Sequence, residues 1–401
     1  MKTVARSVRA LFAAVALAML PSTGCREKAH RETPEVYKEV KRLISVPTMR
    51  VALARSAAEM EVFVDGAYEV LLGGTPVDIG GSMPRTKVRA RGDGVQLGAR
   101  ELAADSLVIK AHRDGALGFV LASKPLKFRG EFEIIRQKND KLTLVNSVDM
   151  ETYMKDVMPG EMPSGWPAEA IRAQVVAART YALFQRQTRK DELYHIGIAE
   201  LAYRGVEGET AQMSKLVDST RGVVLTYEWH IFPAYYHSTC GGRTENVSHV
   251  FGEKSIPPLA GVECGHCRQS KFYTWKREIQ KDEIQRKLSH ARPEVGKVNA
   301  IEAIALGPGS HGAKVAVKHD RGTTTLDGHE FRIAVGPNSV LSTAFQTRST
   351  RGGQSFEFSG RGWGHGVGLC QYGAKGMAES GSKGANILRH YYPGAEVVRI
   401  Y

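Results

Sequence analysis

Residues 149–187 of this chain, DMETYMKDVMPGEMPSGWPAEAIRAQVVAARTYALFQRQ, decide its fold. In their first part Pro159 and Pro163 flank Glu161, and the fixed backbone angle of proline predicts a stiff loop around this glutamate. Pro167 suits the first position of a helix, because its missing N–H has no partner there anyway. Apolar residues then recur at helical spacing with no proline or glycine among them, which predicts one long helix with a buried face.

Glu161 is the strongest candidate for acid–base chemistry in this stretch. The neighbouring Met158, Met162 and Trp166 offer it an apolar environment. Such an environment disfavours the charged form of a carboxyl group, so its pKa rises towards that of a general acid. The alternative, from spacing alone, is a solvated glutamate in a turn.

The stretch resembles the core of the stage II sporulation protein D/amidase enhancer (SpoIID/LytB) family. In that family a Glu-Met-Pro is followed by Trp-Pro and by a helix with Gln-x-x-x-Ala-Arg-Thr-Tyr. The matching residues here are Glu161-Met162-Pro163, Trp166-Pro167 and Gln174 to Tyr181. Two later blocks also resemble the family: the HSTCGG that starts at His237, and residues 360–374, GRGWGHGVGLCQYGA. The resemblance covers residues 125–401.

The resemblance implies a peptidoglycan lytic transglycosylase with Glu161 as the catalytic acid. Two carboxylates normally cleave a glycosidic bond, and here only one is strongly placed. One is enough if the 6-hydroxyl of N-acetylmuramic acid (MurNAc) attacks its own anomeric carbon, which yields a 1,6-anhydro sugar. The family also includes enhancers of cell-wall amidases. The alternative is therefore a non-catalytic module that binds peptidoglycan and activates an amidase.

Further motif residues are candidate substrate contacts. Arg179 can hold a substrate carboxylate or orient Glu161, and an ion pair inside the protein is the alternative. The remaining candidates can line a groove, bond sugar hydroxyls or stack on sugar rings, with burial in the core as the alternative: Gln174, Tyr181, His237, Trp363, His365, Gln371 and Tyr372.

Four cysteines outside the N-terminal segment form a candidate metal site: Cys240, Cys264, Cys267 and Cys370. Cys264 and Cys267 have the C-x-x-C spacing of zinc ligands. If the motifs that carry Cys240 and Cys370 meet at one cleft, a structural zinc ion would join them. His237 or His266 can replace one thiolate. Two disulfides, which are common in exported proteins, and free thiols are the alternatives.

The first 25 residues predict export. A positively charged start precedes the apolar run 10–20, which has the length of a signal peptide and is short for a membrane span. The following PSTGC resembles a bacterial lipoprotein box, although Ser22 stands where leucine is usual. This pattern predicts a lipoprotein of the cell envelope, anchored to the membrane through lipidated Cys25. Ordinary secretion is the alternative.

Net charge limits the choice of partners. The chain has 55 Lys and Arg against 42 Asp and Glu, so its surface is basic and suits a polyanion. No zinc-finger, helix-turn-helix or RNA-recognition pattern is present, and an exported protein does not meet nucleic acid. We therefore expect peptidoglycan glycan strands as the partner, together with the anionic cell envelope.

The predicted fold class is α+β. Charged residues 26–46 predict a tether, and short runs rich in valine and leucine predict a β-rich domain over 47–124. Residues 125–401 form the family-like catalytic domain with its long core helix. Within it, residues 276–358 predict an insertion that consists of an amphipathic helix, 276–290, and short strands.

Overall fold

The structure, a computed structural model, describes residues 43–112, 115–198, 200–305 and 307–401, all within the unit formed by residues 34–401. The predicted signal peptide, the lipidation site Cys25 and nearly all of the predicted tether lie outside the described residues. Within the described ranges, no helix has the length and apolar character needed to cross a membrane.

Two β-sheets form the N-terminal part of the described chain. Their strands are β1 (Thr48–Ala57), β2 (Glu59–Asp65), β3 (Tyr68–Leu72), β4 (Thr75–Gly80), β5 (Met83–Arg91), β6 (Gly94–Leu97), β7 (Arg100–Leu102), β8 (Ser106–Ala111), β9 (Ala116–Leu121), β10 (Lys124–Phe128), β11 (Glu131–Arg136), β12 (Leu142–Asp149) and β13 (Ile196–Gly197). One sheet has seven strands in the order β13-β1-β12-β11-β8-β3-β4, and the other has six in the order β10-β9-β2-β5-β6-β7. β13 lies parallel to β1, and the other neighbours are antiparallel.

The two sheets share one apolar core. Alternating residues such as Val51, Val62, Ile109 and Phe132 are fully buried in it, as expected for strands with one face turned inwards. β1 lies before the predicted domain boundary at residue 124, yet it pairs with β12, which lies beyond that boundary. The β-rich region therefore shares its sheet and its core with the family-like region.

Two helices follow β12: α1 (Met150–Glu161) and α2 (Ala168–Thr188). Asp149 caps α1, because its side chain accepts the N–H groups of Glu151 and Thr152. α2 starts one residue later than predicted, with Pro167 at the capping position. Its predicted face is fully buried, at Ile171, Val175, Ala178 and Ala182.

The loop predicted around Glu161 is wrong, because α1 runs through Pro159 and ends at Glu161. A proline in the last turn removes only one backbone N–H from the helix, and the Met162 N–H still bonds the carbonyl of Met158 at 3.0 Å. Glu161 therefore sits on the end of a helix whose position is set by the core.

The remaining helices are α3 (Ala211–Ser219), α4 (Val247–Val250), α5 (Lys281–Ala291), α6 (Gly328–Val335), α7 (Gln371–Glu379) and α8 (Gly384–Tyr391), with short 3-10 helices at Gly205–Gly208, Pro257–Leu259 and Arg351–Gly353. The remaining strands are β14 (Val223–Thr226), β15 (Tyr236–His237), β16 (Thr274–Gln280), β17 (Val298–Ala305), β18 (Ala313–His319), β19 (Gly322–Asp327), β20 (Phe345–Thr350), β21 (Ser355–Arg361), β22 (Leu369–Cys370) and β23 (Glu396–Arg399). β14 pairs with β23 and β15 with β22, while β16-β21-β20 and β17-β18-β19 form two small sheets.

The region of the predicted insertion has a core of its own, in which Ile284, Leu288, Phe331 and Phe358 are fully buried. The amphipathic helix predicted from residue 276 begins only at α5. The preceding residues belong to β16, which pairs with β21 along its whole length. Tertiary strand pairing thus overrides the helical pattern there. The predictions also did not include α6.

Candidate functional site

A cleft of about 490 Å³ surrounds the Glu161 side chain. Segments that are far apart in sequence contribute its lining residues, which are Glu161, Tyr181, Glu200, Leu201, Tyr235, Tyr236, Phe251, His329 and His365. Of the residues predicted from the sequence, the cleft unites Glu161, Tyr181 and His365. A larger cavity of about 900 Å³ lies around Trp275 and Arg361, at the edge of the predicted insertion, but its described lining contains no carboxylate.

Glu161 is partly buried and held from two directions. Its Oε1 accepts the Ala202 N–H at 3.0 Å, and its backbone carbonyl accepts the Gln371 side-chain amide at 3.3 Å. Burial raises the pKa of Glu161 above its ordinary value, while the Ala202 N–H, the Tyr236 hydroxyl and the Arg204 guanidinium act in the opposite direction. The raised pKa predicted from the sequence is therefore confirmed in direction, and it suits a general acid.

Tyr236 keeps its proton beside this carboxyl group. Burial and the nearby charge of Glu161 raise the pKa of the Tyr236 hydroxyl well above its ordinary value. The neutral phenol can donate a hydrogen bond to the ionised form of Glu161. Tyr236 was not predicted from the sequence, although it stands directly before His237, where a block that resembles the family begins.

Glu200 is a second carboxylate in the cleft, and it too was not predicted. Its Oε1 accepts the Gly197 N–H at 2.9 Å, and its Oε2 lies 3.1 Å from Nη1 of Arg189. Nothing in the local sequence separates Glu200 from an ordinary surface glutamate. Only the fold brings the segment after β13 beside the end of α1.

His365 lies in the cleft but uses both ring nitrogens for the backbone. Its Nδ1 accepts the Val367 N–H at 3.1 Å, and its Nε2 donates to the carbonyl of Tyr236 at 2.9 Å. Burial lowers the pKa of His365 well below its ordinary value, so the ring is neutral. Sugar hydroxyls therefore find no free ring nitrogen on His365, which corrects that part of the prediction. The ring still forms a wall of the cleft.

His237 lies behind His365 and does not line the cleft. The two ring centroids are 5.4 Å apart, and the His237 side chain is 4% exposed. Its Nδ1 donates to the carbonyl of Val367 at 3.0 Å. Burial and the neighbouring His311 lower the pKa of His237 to about 3. A neutral, buried ring of this kind supports the cleft wall, and its predicted contact with substrate is corrected.

Arg179 and Gln174 lie on the buried face of α2 and are both fully buried. The Arg179 guanidinium donates to both carboxylate oxygens of Glu151, at 3.0 and 2.7 Å. The ion pair inside the protein was the alternative, and it is the arrangement that forms. The predicted substrate contacts of Arg179 and Gln174 are corrected, because a fully buried side chain offers no surface to a glycan.

Three further predicted contacts lie outside the lining of the cleft. Gln371, at the start of α7, bonds the backbone of Glu161 as described above. The Tyr372 ring packs edge-on against Trp166, with centroids 4.9 Å apart, and Trp363 packs against Phe272 at 4.3 Å. Of these residues, Gln371 has the most direct influence on the site, because it fastens the C-terminal motif to α1.

The four cysteines form one buried cluster. The sulfur atoms of Cys240, Cys264, Cys267 and Cys370 all lie within 4.8 Å of one another, and those of Cys240 and Cys267 are 3.6 Å apart. Zn–S bonds of about 2.3 Å in a tetrahedron separate the sulfurs by about 3.8 Å. Four mutually close sulfurs fit a metal ion, whereas two disulfides require closeness only within each pair. Neither His237 nor His266 belongs to the cluster.

Hydrogen-bond donors surround this cysteine cluster. The sulfur of Cys370 accepts the N–H groups of Cys240 and Gly373, both at 3.3 Å. The Tyr391 hydroxyl lies 3.0 Å from the sulfur of Cys264. Such donors stabilise thiolates and orient them as metal ligands. All four ligands come from the protein, so a metal here has no open position for catalysis.

Comparison with known proteins places the chain in a family. A family model described as Stage II sporulation protein matches residues 138–227, and one described as Domain of unknown function (DUF8618) matches residues 251–368. The chain is 32% identical over 269 residues to an uncharacterized protein of Brachyspira hyodysenteriae, covering 65% of this chain and 69% of the relative. It is 30% identical over 271 residues to stage II sporulation protein D of Bacillus subtilis, covering 63% of this chain and 75% of the relative.

The chain belongs to the SpoIID/LytB family. It is also 28% identical over 286 residues to the amidase enhancer of Bacillus subtilis, covering 60% of this chain and 39% of that relative.

Each of the two family models covers part of the cleft lining, while Tyr235 and Tyr236 lie between the two matches. The stage II sporulation protein match includes α1 and α2 with Glu161, Tyr181 and Glu200. The match to the domain of unknown function includes Phe251 and His329. His329 comes from α6 of the insertion, and no sequence motif marked it. The cleft of this SpoIID/LytB protein is thus completed by a region outside the matched sporulation-protein core.

Proposed function

We propose that this protein is an exported lytic transglycosylase that cleaves the bond between MurNAc and N-acetylglucosamine in peptidoglycan glycan strands. Membership of the SpoIID/LytB family supports a function related to the cell wall. The observation that carries the enzymatic proposal is Glu161, a partly buried carboxyl group with a raised pKa in a cleft. Export as a lipoprotein anchored through Cys25 remains part of this proposal.

The proposed reaction needs one group that gives and then takes a proton. Protonated Glu161 donates to the glycosidic oxygen while the bond from the MurNAc anomeric carbon to that oxygen breaks. The MurNAc 6-hydroxyl oxygen forms the new bond to the same carbon, and its proton passes to the Glu161 carboxylate. The product ends in 1,6-anhydroMurNAc, no water is consumed, and Glu161 is protonated again.

The surroundings of Glu161 suit both of its protonation states. Burial favours the neutral acid before bond cleavage. The Ala202 N–H and the Tyr236 hydroxyl lower the pKa in return, so they stabilise the carboxylate that forms in the reaction. The Gln371 contact to the Glu161 backbone helps to hold the side chain in position.

We also propose that the four cysteines hold a structural zinc ion. Its ligands would be Cys240 after β15, the Cys264–Cys267 loop, and Cys370 directly before Gln371. Zinc would supply no catalytic chemistry here and would act as a cross-link between these segments. Because Gln371 bonds the Glu161 backbone, the cross-link would stabilise the cleft.

The proposal is tested with intact sacculi and with glycan strands freed of peptides. Mass spectrometry looks for 1,6-anhydroMurNAc ends after incubation with the mature protein and with its Glu161→Gln variant. Anhydro ends that disappear in the variant are the expected result. Unchanged anhydro ends in Glu161→Gln would contradict the role of Glu161.

Glu200→Gln is the matched variant within the same cleft. In a transglycosylase the substrate supplies the nucleophile, so Glu200→Gln should retain anhydro products with at most about a tenfold loss of rate. Ordinary reducing ends in the wild type, lost in both variants, would instead mean hydrolysis by a pair of carboxylates.

A second candidate function is a peptidoglycan-binding enhancer of a cell-wall amidase. The similarity to the Bacillus subtilis amidase enhancer favours it. Such a protein would bind glycan strands, cleave neither substrate and increase the activity of an added amidase. In this case Glu161→Gln would leave the stimulation of the amidase unchanged. The transglycosylase proposal instead requires that Glu161→Gln no longer forms 1,6-anhydroMurNAc ends.

A further inference from the structure

A second cavity of about 600 Å³ lies beside the Glu161 cleft. Its wall comes from α4, the end of α5 and α6, and includes Lys314, Glu330 and Ile333. Phe251 and His329 line both the cleft and this cavity. The two spaces therefore meet at these two side chains, whose ring centroids are 5.3 Å apart.

The second cavity combines an apolar surface with balanced charges. Phe251 offers an aromatic ring, and the Ile333 side chain is 53% exposed. Lys314 is paired with Asp327, and Glu330 is paired with Arg292. Because its charged groups already have partners of opposite sign, the cavity favours an uncharged polar ligand over an anion. A sugar ring has this character, with an apolar face and hydroxyl groups along its edge.

The junction also carries an unused polar atom. The Nδ1 of His329 is buried and meets no hydrogen-bond partner among the described residues. Buried polar atoms of this kind usually have a partner in the functional state. A hydroxyl group that passes between the two spaces would supply one.

We propose that the second cavity binds the glycan strand beyond the bond that Glu161 cleaves, with Phe251 and His329 at the junction. The identity of the ligand rests on the proposed function. A glycan strand is a linear polymer, so it must continue out of the cleft on both sides of the cleaved bond. The second cavity adjoins the cleft at the shared residues Phe251 and His329, and its volume lies in the range of ligand sites, roughly 300–1,000 Å³.

This proposal gives the insertion a role in substrate selection. Most of the second cavity comes from residues that match the domain of unknown function. The insertion would then strengthen the binding of long strands over short ones, while the chemistry at Glu161 stays the same.

The test compares two exposed isoleucines of the insertion. Ile333 lines the second cavity, whereas Ile304, which is 52% exposed, lines neither space. Ile333→Trp fills the cavity without touching the Glu161 cleft, and Ile304→Trp is the matched control. Circular dichroism and thermal unfolding confirm that both variants fold. Equilibrium binding is then measured with peptide-free glycan strands of one disaccharide unit and of several units. In these measurements every protein, including the one with both isoleucines unchanged, also carries Glu161→Gln so that the strands stay intact.

We expect the wild-type protein and Ile304→Trp to bind the long strand at least about tenfold more tightly than the short one, a difference of about 1.4 kcal/mol. In Ile333→Trp this difference should disappear while the affinity for the short strand stays. A length preference that survives in Ile333→Trp, or that is absent from the wild type, would overturn the proposal.

The binding measurement separates this proposal from the transglycosylase. A cavity-dependent length preference without any anhydro product would support the second site and overturn the enzyme. Anhydro products, together with the same length preference in the wild type and in Ile333→Trp, would support the enzyme and overturn the second site. A protein that binds no glycan would overturn both.

Discussion

At Glu161 a single carboxyl group is balanced between burial and hydrogen bonding. The helix end places it partly inside the protein, which favours the acid, while the Ala202 N–H and the Tyr236 hydroxyl favour the carboxylate. Burial prevails, so the pKa is raised. An acid that must regain its proton in every cycle benefits from both influences.

The pH dependence of cleavage follows from this balance. The reaction starts from protonated Glu161, so activity should be highest on the acidic side and fall as pH rises through the raised pKa. The midpoint of kcat/KM against pH should lie above the ordinary value of 4.5. Glu161→Gln should reduce the rate by at least about 100-fold below this midpoint, where Glu161 of the wild type is protonated. A midpoint at or below 4.5 would contradict the assignment.

At the scale of the helices, α1 and α2 are joined by a buried ion pair. Arg179 of α2 is completely enclosed, and both of its bonds to the Glu151 carboxylate lie in the interior of the protein. The pair fixes α2 against the start of α1, whose other end carries Glu161. Its contribution to function is therefore indirect and acts through the position of α1.

Arg179→Leu should lower the free energy of unfolding by about 3–5 kcal/mol, because it leaves the buried Glu151 charge without its cation. The Gly222 N–H and the Tyr401 hydroxyl, which also bond Glu151 Oε1, carry no compensating charge. Arg172→Ala, on the same helix, is the control. Arg172 pairs with Glu169 at 2.6 Å, but both side chains are partly exposed, so the expected loss is at most about 1 kcal/mol. Urea unfolding measures both changes, and similar losses in the two variants would contradict this account.

The middle of α1 holds a second buried acid, Asp156. Burial and the neighbouring Glu209 raise the pKa of Asp156 to about 9. Between pH 3.8 and about 9 the folded protein therefore keeps a proton on Asp156. The unfolded chain, in which this residue has its ordinary pKa of 3.8, has already released that proton. Stability from this group is fully present below pH 3.8 and is lost as the pH rises towards 9.

Asp156→Asn should remove this loss, because an amide cannot ionise and its N–H can donate towards the neighbouring Glu209. We expect the variant to unfold at a higher temperature than the wild type at about pH 8, with a gain of at least about 1 kcal/mol. The difference should shrink at about pH 4. Thermal unfolding at both pH values measures it, and a pH-independent difference would show that the proton is not held on Asp156.

At the scale of the whole molecule, the cysteine cluster connects segments that start far apart in sequence. The cluster draws on three segments that are separated in sequence, which carry Cys240, the Cys264–Cys267 pair and Cys370. They meet next to α7, whose Gln371 contacts the Glu161 backbone. Whether these sulfurs bind zinc, form disulfides or remain free thiols therefore affects both the stability of the protein and the geometry of the cleft.

With zinc bound, elemental analysis of the purified protein should find about one zinc ion per chain. Cys267→Ser or removal of the metal by a chelator should lower Tm by at least about 5 °C, since a cross-link between distant segments is lost. A reducing agent alone should leave Tm unchanged. Metal-free protein whose Tm falls on reduction would instead establish disulfides.

Much of the site could be predicted because local chemistry is visible in the chain. Neighbouring residues determine the local structure or chemistry of three patterns: a glutamate among methionines, a proline before a periodic helix, and a C-x-x-C pair. Glu161, the buried face of α2 and the proximity of the four cysteines follow from such preferences together with the family resemblance. Tyr181 and His365 were also expected near Glu161, and both line its cleft.

By itself, then, the sequence determined the family, the α+β class, the core helix and the strongest acid candidate, because these depend on neighbouring residues or on motifs. Only the tertiary structure decided which face each side chain presents. It buried Arg179 and Gln174, occupied both ring nitrogens of His365, and brought Glu200 and His329 to the cleft from distant segments. The physical reason is that burial and long-range contacts arise from chain packing, which local sequence patterns do not contain.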